Sequence, residues 1–179
     1  MAKLAVRPGS ALQRSASIKI SKPSVKAAPA SQHWSFAATN FLQAYEADAM
    51  EQVRIVKRGV PATAIDALAK RMAVPKEKLV STLGLARATI DRKVRENKPL
   101  SSNESSRVLG MARLVGQVQS MVEESGNPQG FNAAEWVGRW LQQPLAALGG
   151  QRPEELMDTP EGQGIVSQVV ARMQSGAYS

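Results

Sequence analysis

The sequence predicts an all-α protein, and three observations lead to that prediction. From Trp34 onward, apolar residues recur at the spacing of a buried helical face. No run of β-branched residues alternates with the period of two that is typical of a strand. Glycines and prolines, such as Gly59 and Pro61, separate the helical stretches. The 179 residues suffice for one or two small domains with cores of their own.

Residues 1–33 are predicted to form a disordered basic tail. They mix Ser, Ala, Lys, Arg and Pro with isolated aliphatic residues, which are too few to offset the entropy lost on ordering. Such a tail is typical of non-specific phosphate contact, of a solubilising extension or of a mitochondrial transit peptide. The sequence leaves these alternatives open.

Residues 34–125 are predicted to be a helix-turn-helix and dimerisation region. We expect a first helix near 35–57 and a second with its buried face at 65–72. Pro75 marks the start of the next helix, because its missing N–H costs nothing there.

A helix-turn-helix is predicted over 76–97. Gly84 can adopt the left-handed conformation that ends a helix, and apolar residues on both sides of it can pack two short helices across each other. The second helix carries residue types that contact bases and phosphates in a major groove. The candidate DNA-binding residues are Arg87, Thr89, Arg92, Lys93, Arg95 and Lys98.

These six residues are expected to divide into two groups. Arg87, Arg92 and Lys93 should face the groove, whereas Arg95 and Lys98 should contact phosphates. An ordinary helical hairpin with a solvated basic face is the alternative.

Charge is segregated along the chain and favours the DNA-binding interpretation. Residues 53–113 carry 14 basic and 5 acidic side chains, a net of +9. Residues 114–179 carry 3 basic and 7 acidic side chains, a net of −4. A basic half can neutralise phosphates and an acidic half cannot, so we expect nucleic acid as one partner and a protein as another.

A long helix is predicted to begin after Ser101, because Ser101 and Glu104 fit a capping box. An apolar stripe repeats every three or four residues along it, and we expect this stripe to form core or dimer packing rather than a ligand groove. The stripe consists of Val108, Met111, Val115, Val118 and Val122.

Residues 131–179 are predicted to form a second helical domain. One helix should bury Phe131, Ala134, Val137 and Leu141, with Trp136 and Trp140 on a neighbouring stripe. A last helix should begin at Pro160 with Thr159 as its N-cap. Its expected buried face is Ile165, Val166, Val169, Val170 and Met173.

The composition argues against an enzyme. The chain has no Cys and a single His, His33, so thiol nucleophiles, His-based metal sites and Ser-His triads are excluded. We therefore expect no catalytic residue, no metal and no cofactor. No apolar run is long enough to span a bilayer, and no secretory signal is evident, so a soluble cytoplasmic protein is expected.

Two sets of residues form a more specific pattern. The first is Gly59, Leu68, Leu79, Leu83, Gly84, Thr89, Arg92, Lys93, Leu100, Ser101 and Glu104. The second is the stretch 134–141 with Trp140, followed by Leu148, Gly149, Gly150, Pro153, Leu156, Thr159, Gly162, Val166, Gly176 and Tyr178. Over about residues 58–179 this pattern resembles the Xre/MbcA/ParS family of type II antitoxins, the partners of RES-domain and related NAD-consuming toxins.

The chain departs from the family pattern at three positions. Ala86 stands where a small polar cap is usual, and Ala88 where a basic residue is common. Both changes weaken the expected recognition helix. Met157 replaces the second Leu of a Leu-Leu pair, which conserves volume.

The resemblance implies a function for each half. The C-terminal domain would cover the active site of a toxin that depletes NAD, and the helix-turn-helix would let a homodimer within a toxin-antitoxin complex repress its own operon at operator DNA. Arg172 would occupy the position of the nucleotide's phosphates, and Tyr178 would anchor the chain in the pocket. The toxin-binding candidates are Gly150, Pro153, Leu156, Thr159, Gly162, Arg172, Gly176 and Tyr178.

One alternative function remains open. A stand-alone helix-turn-helix regulator would use its C-terminal domain for dimerisation alone.

Overall fold

The computed structural model describes residues 40–126 and 128–174, and within them it contains helices and no strand. The all-α prediction is therefore confirmed. The predicted tail, and the candidates Gly176 and Tyr178, lie outside the described residues. The helices are α1 (Phe41–Glu46), α2 (Ala49–Arg58), α3 (Ala64–Arg71), α4 (Lys76–Thr82), α5 (Arg87–Arg95), α6 (Ser102–Glu124), α7 (Ala133–Trp140) and α8 (Pro160–Gln174), with 3₁₀ turns at Ala146–Leu148 and Pro153–Leu156.

The prediction of a single helix near 35–57 is wrong, because the helix is interrupted between α1 and α2. Asp48 has an extended backbone and its carboxylate accepts a hydrogen bond from the Glu51 N–H at 2.8 Å. An Asp in this conformation satisfies an N–H at a helix start that no backbone carbonyl can reach. A new helix therefore begins at Ala49.

Helix α6 is the centre of the structure, and α1, α2, α7 and α8 all pack against it. The predicted capping box of Ser101 and Glu104 is present at its start. Its predicted apolar stripe is core packing, since all of its members but the half-buried Val122 are buried. Helix α1 crosses closely at Gly116, where a Cβ would lie 2.0 Å from the Phe41 carbonyl oxygen.

Helix α8 joins α6 through amide side chains as well as apolar contacts. Gln163 Nε2 donates to the Arg107 carbonyl at 3.0 Å and to the Met157 carbonyl at 2.9 Å. Gln117 and Ser167 exchange two hydrogen bonds across the same pair of helices. The predicted N-cap is confirmed, since Thr159 Oγ1 accepts from the Gly162 N–H at 3.1 Å.

Three residues that the sequence assigned to buried faces are exposed. Ile165 is 46% exposed, and Phe131 and Met173 are each 39% exposed. Helical spacing identifies an apolar stripe, but the stripe is covered only where another element lies over it. On the expected face of α8, Val166, Val169 and Val170 are buried, whereas the two ends of that face, Ile165 and Met173, are open to solvent.

The segments before and after α6 share one core. Gly138 of α7 lies so close to α3 that a Cβ there would be 2.4 Å from the Met72 carbonyl oxygen. Lys78 of α4 forms an ion pair of 2.8 Å with Glu154 of the second 3₁₀ turn. The described residues accordingly belong to a single compact unit. None of the helices described here is long and apolar enough to cross a membrane.

Candidate functional site

The helix-turn-helix consists of α4, a turn at Leu83 and Gly84, and α5. Gly84 has φ of +59°, which confirms the predicted left-handed turn. Arg107 of α6 reinforces this turn, because its Nη1 donates to the Leu83 carbonyl at 3.0 Å and to the Gly84 carbonyl at 2.8 Å. Sequence reasoning missed this role, since Arg107 and the turn are remote in the chain.

Helix α5 presents a basic surface with acids at its margin. Arg87, Arg92 and Arg95 are exposed, and Thr89 is half-buried. Arg87 pairs with Glu77 at 3.2 Å and with Asp91 at 3.7 Å. Arg92 and Arg95 have no ion pair within 4 Å among the described residues, so their charge is available to a phosphate or a base edge.

Lys93 is one of the residues expected to face the groove, and the structure places its ammonium against the start of α6. The Lys93 ammonium pairs with the Glu104 carboxylate, and each side chain is only 16% exposed. Glu104 Oε2 also accepts from the Ser101 N–H at 2.6 Å in the capping box of α6. Lys93 therefore ties α5 to the start of α6, because α6 lies against that face of the helix.

Two further basic residues around α5 are held by acids. Lys76, at the start of α4, pairs with Asp66 at 3.0 Å and with Asp91 at 3.3 Å. The hydrogen bond to Asp66, with a smaller opposing effect of desolvation, raises the pKa of Lys76. Lys98 follows α5 and pairs with Glu96 at 2.8 Å. The net positive field at this surface is thus weaker than the sequence count indicates.

Several toxin-binding candidates serve the protein's own packing. Pro153 is buried in a 3₁₀ turn, and Leu156 is half-buried. A Cβ on Gly162 would lie 2.0 Å from the Leu156 carbonyl oxygen, so only Gly fits there. Gly150 has φ of +88° in an exposed loop, and Arg172 lies exposed in the last turn of α8.

A small apolar pocket opens near the end of α8. We call it the aromatic pocket; its volume is about 240 Å³. Trp136 stacks on Trp140 with ring centroids 5.5 Å apart, and Phe131 lies 6.2 Å from Trp136. The lining residues are Val118, Met121, Val122, Phe131, Trp136, Val170 and Met173. The sequence reasoning placed Phe131 and Met173 in the core and so missed this pocket.

These features define a helix-turn-helix protein with an apolar pocket between its central and C-terminal helices. Comparison with family models agrees for both halves. Residues 51–113 match the antitoxin Xre-like helix-turn-helix domain, and residues 129–176 match the antitoxin Xre/MbcA/ParS C-terminal toxin-binding domain.

Individual relatives are antitoxins too. The chain is 44% identical over 135 residues to a protein of Sphingobium sp. named "Prs ADP-ribosylating antitoxin", covering 75% of this chain and 85% of the relative. It is 23% identical over 124 residues to antitoxin Xre of Yersinia enterocolitica, covering 69% of this chain and 78% of the relative. The chain therefore belongs to the Xre/MbcA/ParS family of antitoxins.

Proposed function

We propose that this antitoxin neutralises a RES-like, NAD-consuming toxin by covering the toxin's active site with the C-terminal end of α8. The observation that carries the proposal is the aromatic pocket at the C-terminal end of α8, the helix whose last turn also carries the exposed Arg172. Met173 forms part of this pocket and directly follows Arg172 in the chain. A helix end that carries both an apolar pocket and a cation suits a protein partner whose own site binds an anionic nucleotide.

The name of the Sphingobium relative supports the proposal that the toxin consumes NAD. ADP-ribosylation cleaves the nicotinamide bond of NAD, so a toxin of that type has a site for the two phosphates of the dinucleotide. The Arg172 guanidinium matches a phosphate in charge and in hydrogen-bond geometry. The antitoxin itself needs no catalytic group for this role, and we propose that it is not an enzyme.

Neutralisation is tested with single variants of α8 in cells that also express the adjacent toxin gene. We expect Met173→Asp and Arg172→Glu to lose protection, seen as a fall in cellular NAD and arrested growth. Ile165→Asp is the matched control, because Ile165 is an exposed apolar residue of the same helix outside the pocket. Full protection by both variants would show that the toxin is covered by another surface.

The helix-turn-helix is proposed to repress the antitoxin's own operon in the cytoplasm, with the chain acting as a homodimer. Exposed Arg92 and Arg95 on α5 support DNA contact. The alternative is a stand-alone regulator. Purification from the native operon separates the two, because an antitoxin carries a stoichiometric toxin and a regulator does not.

A further inference from the structure

Helix α2 ends in two cations that lie at the surface without an acidic partner. Lys57 and Arg58 occupy its last turn, and both are exposed. Neither forms an ion pair among the described residues, whereas Arg54, one turn earlier, pairs with Glu51 at 3.0 Å. Basic residues at this end of a helix complement its dipole, but exposed charges without an acidic partner can also bind an external anion.

The turn after α2 brings Arg58 beside the end of the recognition helix α5. Gly59 has φ of +88°, and a Cβ there would lie 2.8 Å from the Leu100 carbonyl oxygen and 2.8 Å from the Pro99 Cβ, so only Gly allows this approach. The Leu100 N–H donates to the Val60 carbonyl at 2.8 Å, and the two segments run antiparallel. The chain leaving α2 is therefore joined to the segment that follows α5.

The uncompensated charges of α5 continue toward Arg58. Arg92 and Arg95 are exposed and have no ion pair in the described part of the chain. Glu96 is the one acidic residue between positions 95 and 100 of the sequence, and Lys98 pairs with it at 2.8 Å. The cations that remain without an acidic partner along this path are therefore Arg92, Arg95 and Arg58, in that order from α5 to the end of α2.

The spacing of these three cations suits one strand of a DNA duplex. Arg92 and Arg95 lie about 4.5 Å apart along α5, at a rise of about 1.5 Å per residue. Pro99, which lies against Gly59, follows Arg95 in the chain, and the segment between them reaches at most about 14 Å. The phosphates of one strand follow each other about every 3.4 Å along the duplex axis. A row of cations of this length therefore passes several successive phosphates.

We propose that Arg58, at the end of α2, binds a backbone phosphate of DNA next to the recognition helix. The contact adds affinity without reading the sequence, because phosphate contacts position a protein and base contacts specify its site. A guanidinium suits this role, since it stays charged and offers a fork of donors to the phosphate oxygens. The inference rests on the operator binding of the proposed function and adds a contact that lies outside the helix-turn-helix.

Titration of the full chain with operator DNA at several salt concentrations tests the contact. Arg58→Ala should weaken binding about tenfold. It should also lower the slope of log affinity against log salt by about one unit, because one phosphate contact and its released counterion are lost. Binding to unrelated DNA should weaken by the same factor, since every sequence has the phosphate. Arg58→Lys, which keeps the charge, should restore most of the slope.

Lys70→Ala is the matched control, because it removes an equal charge from a distant place. Lys70 is exposed and without an ion pair among the described residues, and it lines a cavity together with Gln119 of α6. The turn after α2 lies at the other end of α6, where the Val60 N–H donates to Ser105 Oγ at 2.9 Å. Ser105 and Gln119 are about 21 Å apart along the helix. Lys70→Ala should therefore keep the parent's slope.

Neutral methylphosphonates, each replacing one charged phosphate of the operator, locate the contact. Replacement of the phosphate that Arg58 binds should weaken binding of the parent protein. The same replacement should have no further effect on Arg58→Ala, because the variant has already lost that interaction. Replacement of a phosphate that Arg92 binds should weaken binding of both proteins alike.

Equal slopes for Arg58→Ala and Lys70→Ala would mean that Arg58 binds no phosphate. If Arg92→Ala has a lower slope in the same titrations, the helix-turn-helix binds the operator and only the contact from α2 is refuted. A parent protein without affinity for operator DNA would refute the proposed repression and, with it, the contact from α2. If the effect of Arg58→Ala simply added to that of every methylphosphonate, a direct contact would also be excluded.

Discussion

At the scale of single residues, Lys93 makes a contact in the structure that its position in the sequence does not predict. Its residue type and its position on α5 are suited to contact with DNA, yet its ammonium forms a largely buried ion pair with Glu104. Glu104 at once pairs with Lys93 and caps α6. The pair therefore fixes the recognition helix against the central helix.

This pair should make stability depend on acid pH. Burial raises the pKa of Glu104, but the hydrogen bonds from Lys93 and Ser101 together outweigh this effect. The pKa of Glu104 therefore lies below its ordinary value of 4.5. A carboxylate with a lowered pKa stabilises the fold above its unfolded pKa, and this contribution is lost as pH falls through the folded pKa. Glu104→Gln should cost about 1–3 kcal/mol at neutral pH, and the difference should shrink below pH 4.5.

Urea unfolding at several pH values measures this difference. Glu96→Gln is the control, because the exposed pair of Glu96 and Lys98 is screened by solvent and should matter little. If the difference in free energy of unfolding between the parent protein and Glu104→Gln stayed constant from neutral to acid pH, the lowered pKa of Glu104 would be contradicted.

The arginines of α5 should act on DNA where Lys93 does not. We expect Arg92→Ala to weaken operator binding and to reduce the slope of log affinity against log salt by about one unit, as the loss of one phosphate contact does. Lys93→Ala should lower thermal stability and leave that slope nearly unchanged. Titration with operator DNA at several salt concentrations measures these slopes. Equal slopes for Arg92→Ala and the parent protein would refute a phosphate contact by Arg92.

At the scale of an element, α8 contains two glycines with opposite environments. Gly162 lies against the 3₁₀ turn at Pro153–Leu156, where a Cβ would be 2.0 Å from a carbonyl oxygen. Gly164 faces open space. The helix therefore packs tightly against the 3₁₀ turn at Gly162, and half a turn later, at Gly164, it has no neighbouring atom to pack against.

Alanine at each position should shift stability in opposite directions. Gly162→Ala should destabilise the protein by about 1–3 kcal/mol, because the turn and helix must separate. Gly164→Ala should stabilise it by up to about 1 kcal/mol through helix propensity. Thermal unfolding at equal protein concentration compares them, and a loss at Gly164 as large as that at Gly162 would mean that its surroundings are closed.

At the scale of the whole molecule, the two halves of the chain depend on one central helix. Residues of α6 such as Met111 and Val115 are fully buried, and α1, α2, α7 and α8 all pack against this helix. Removal of α7 and α8 would expose apolar side chains of α6 to water. The helix-turn-helix and the toxin-binding domain therefore share one core.

Truncation tests this dependence. A chain ending at Ser125 should lose cooperative unfolding and DNA binding, because α6 would expose its apolar face to water. A chain ending at Arg172 keeps the buried part of α8 and should remain folded and bind DNA. Circular dichroism melts and operator titrations measure both, and a stable, DNA-binding chain ending at Ser125 would show that the helix-turn-helix folds alone.

The sequence by itself determined features that local physics controls. The capping box at Ser101, the N-cap at Thr159 and the left-handed turn at Gly84 each depend on residues within a few positions of one another. The helical character of the chain follows from the spacing of its apolar residues. The same pattern carried the resemblance to antitoxins that the family models confirm.

The tertiary structure alone decided which parts of those helices are covered and which charges are paired. Lys93 meets Glu104 from another helix, and Arg107 reaches a turn more than twenty residues away. Met173 and Ile165 have the spacing of core residues in the sequence, yet both are exposed. Burial and pairing depend on contacts between segments remote in the chain, and the spacing of residues within one helix carries no information about them.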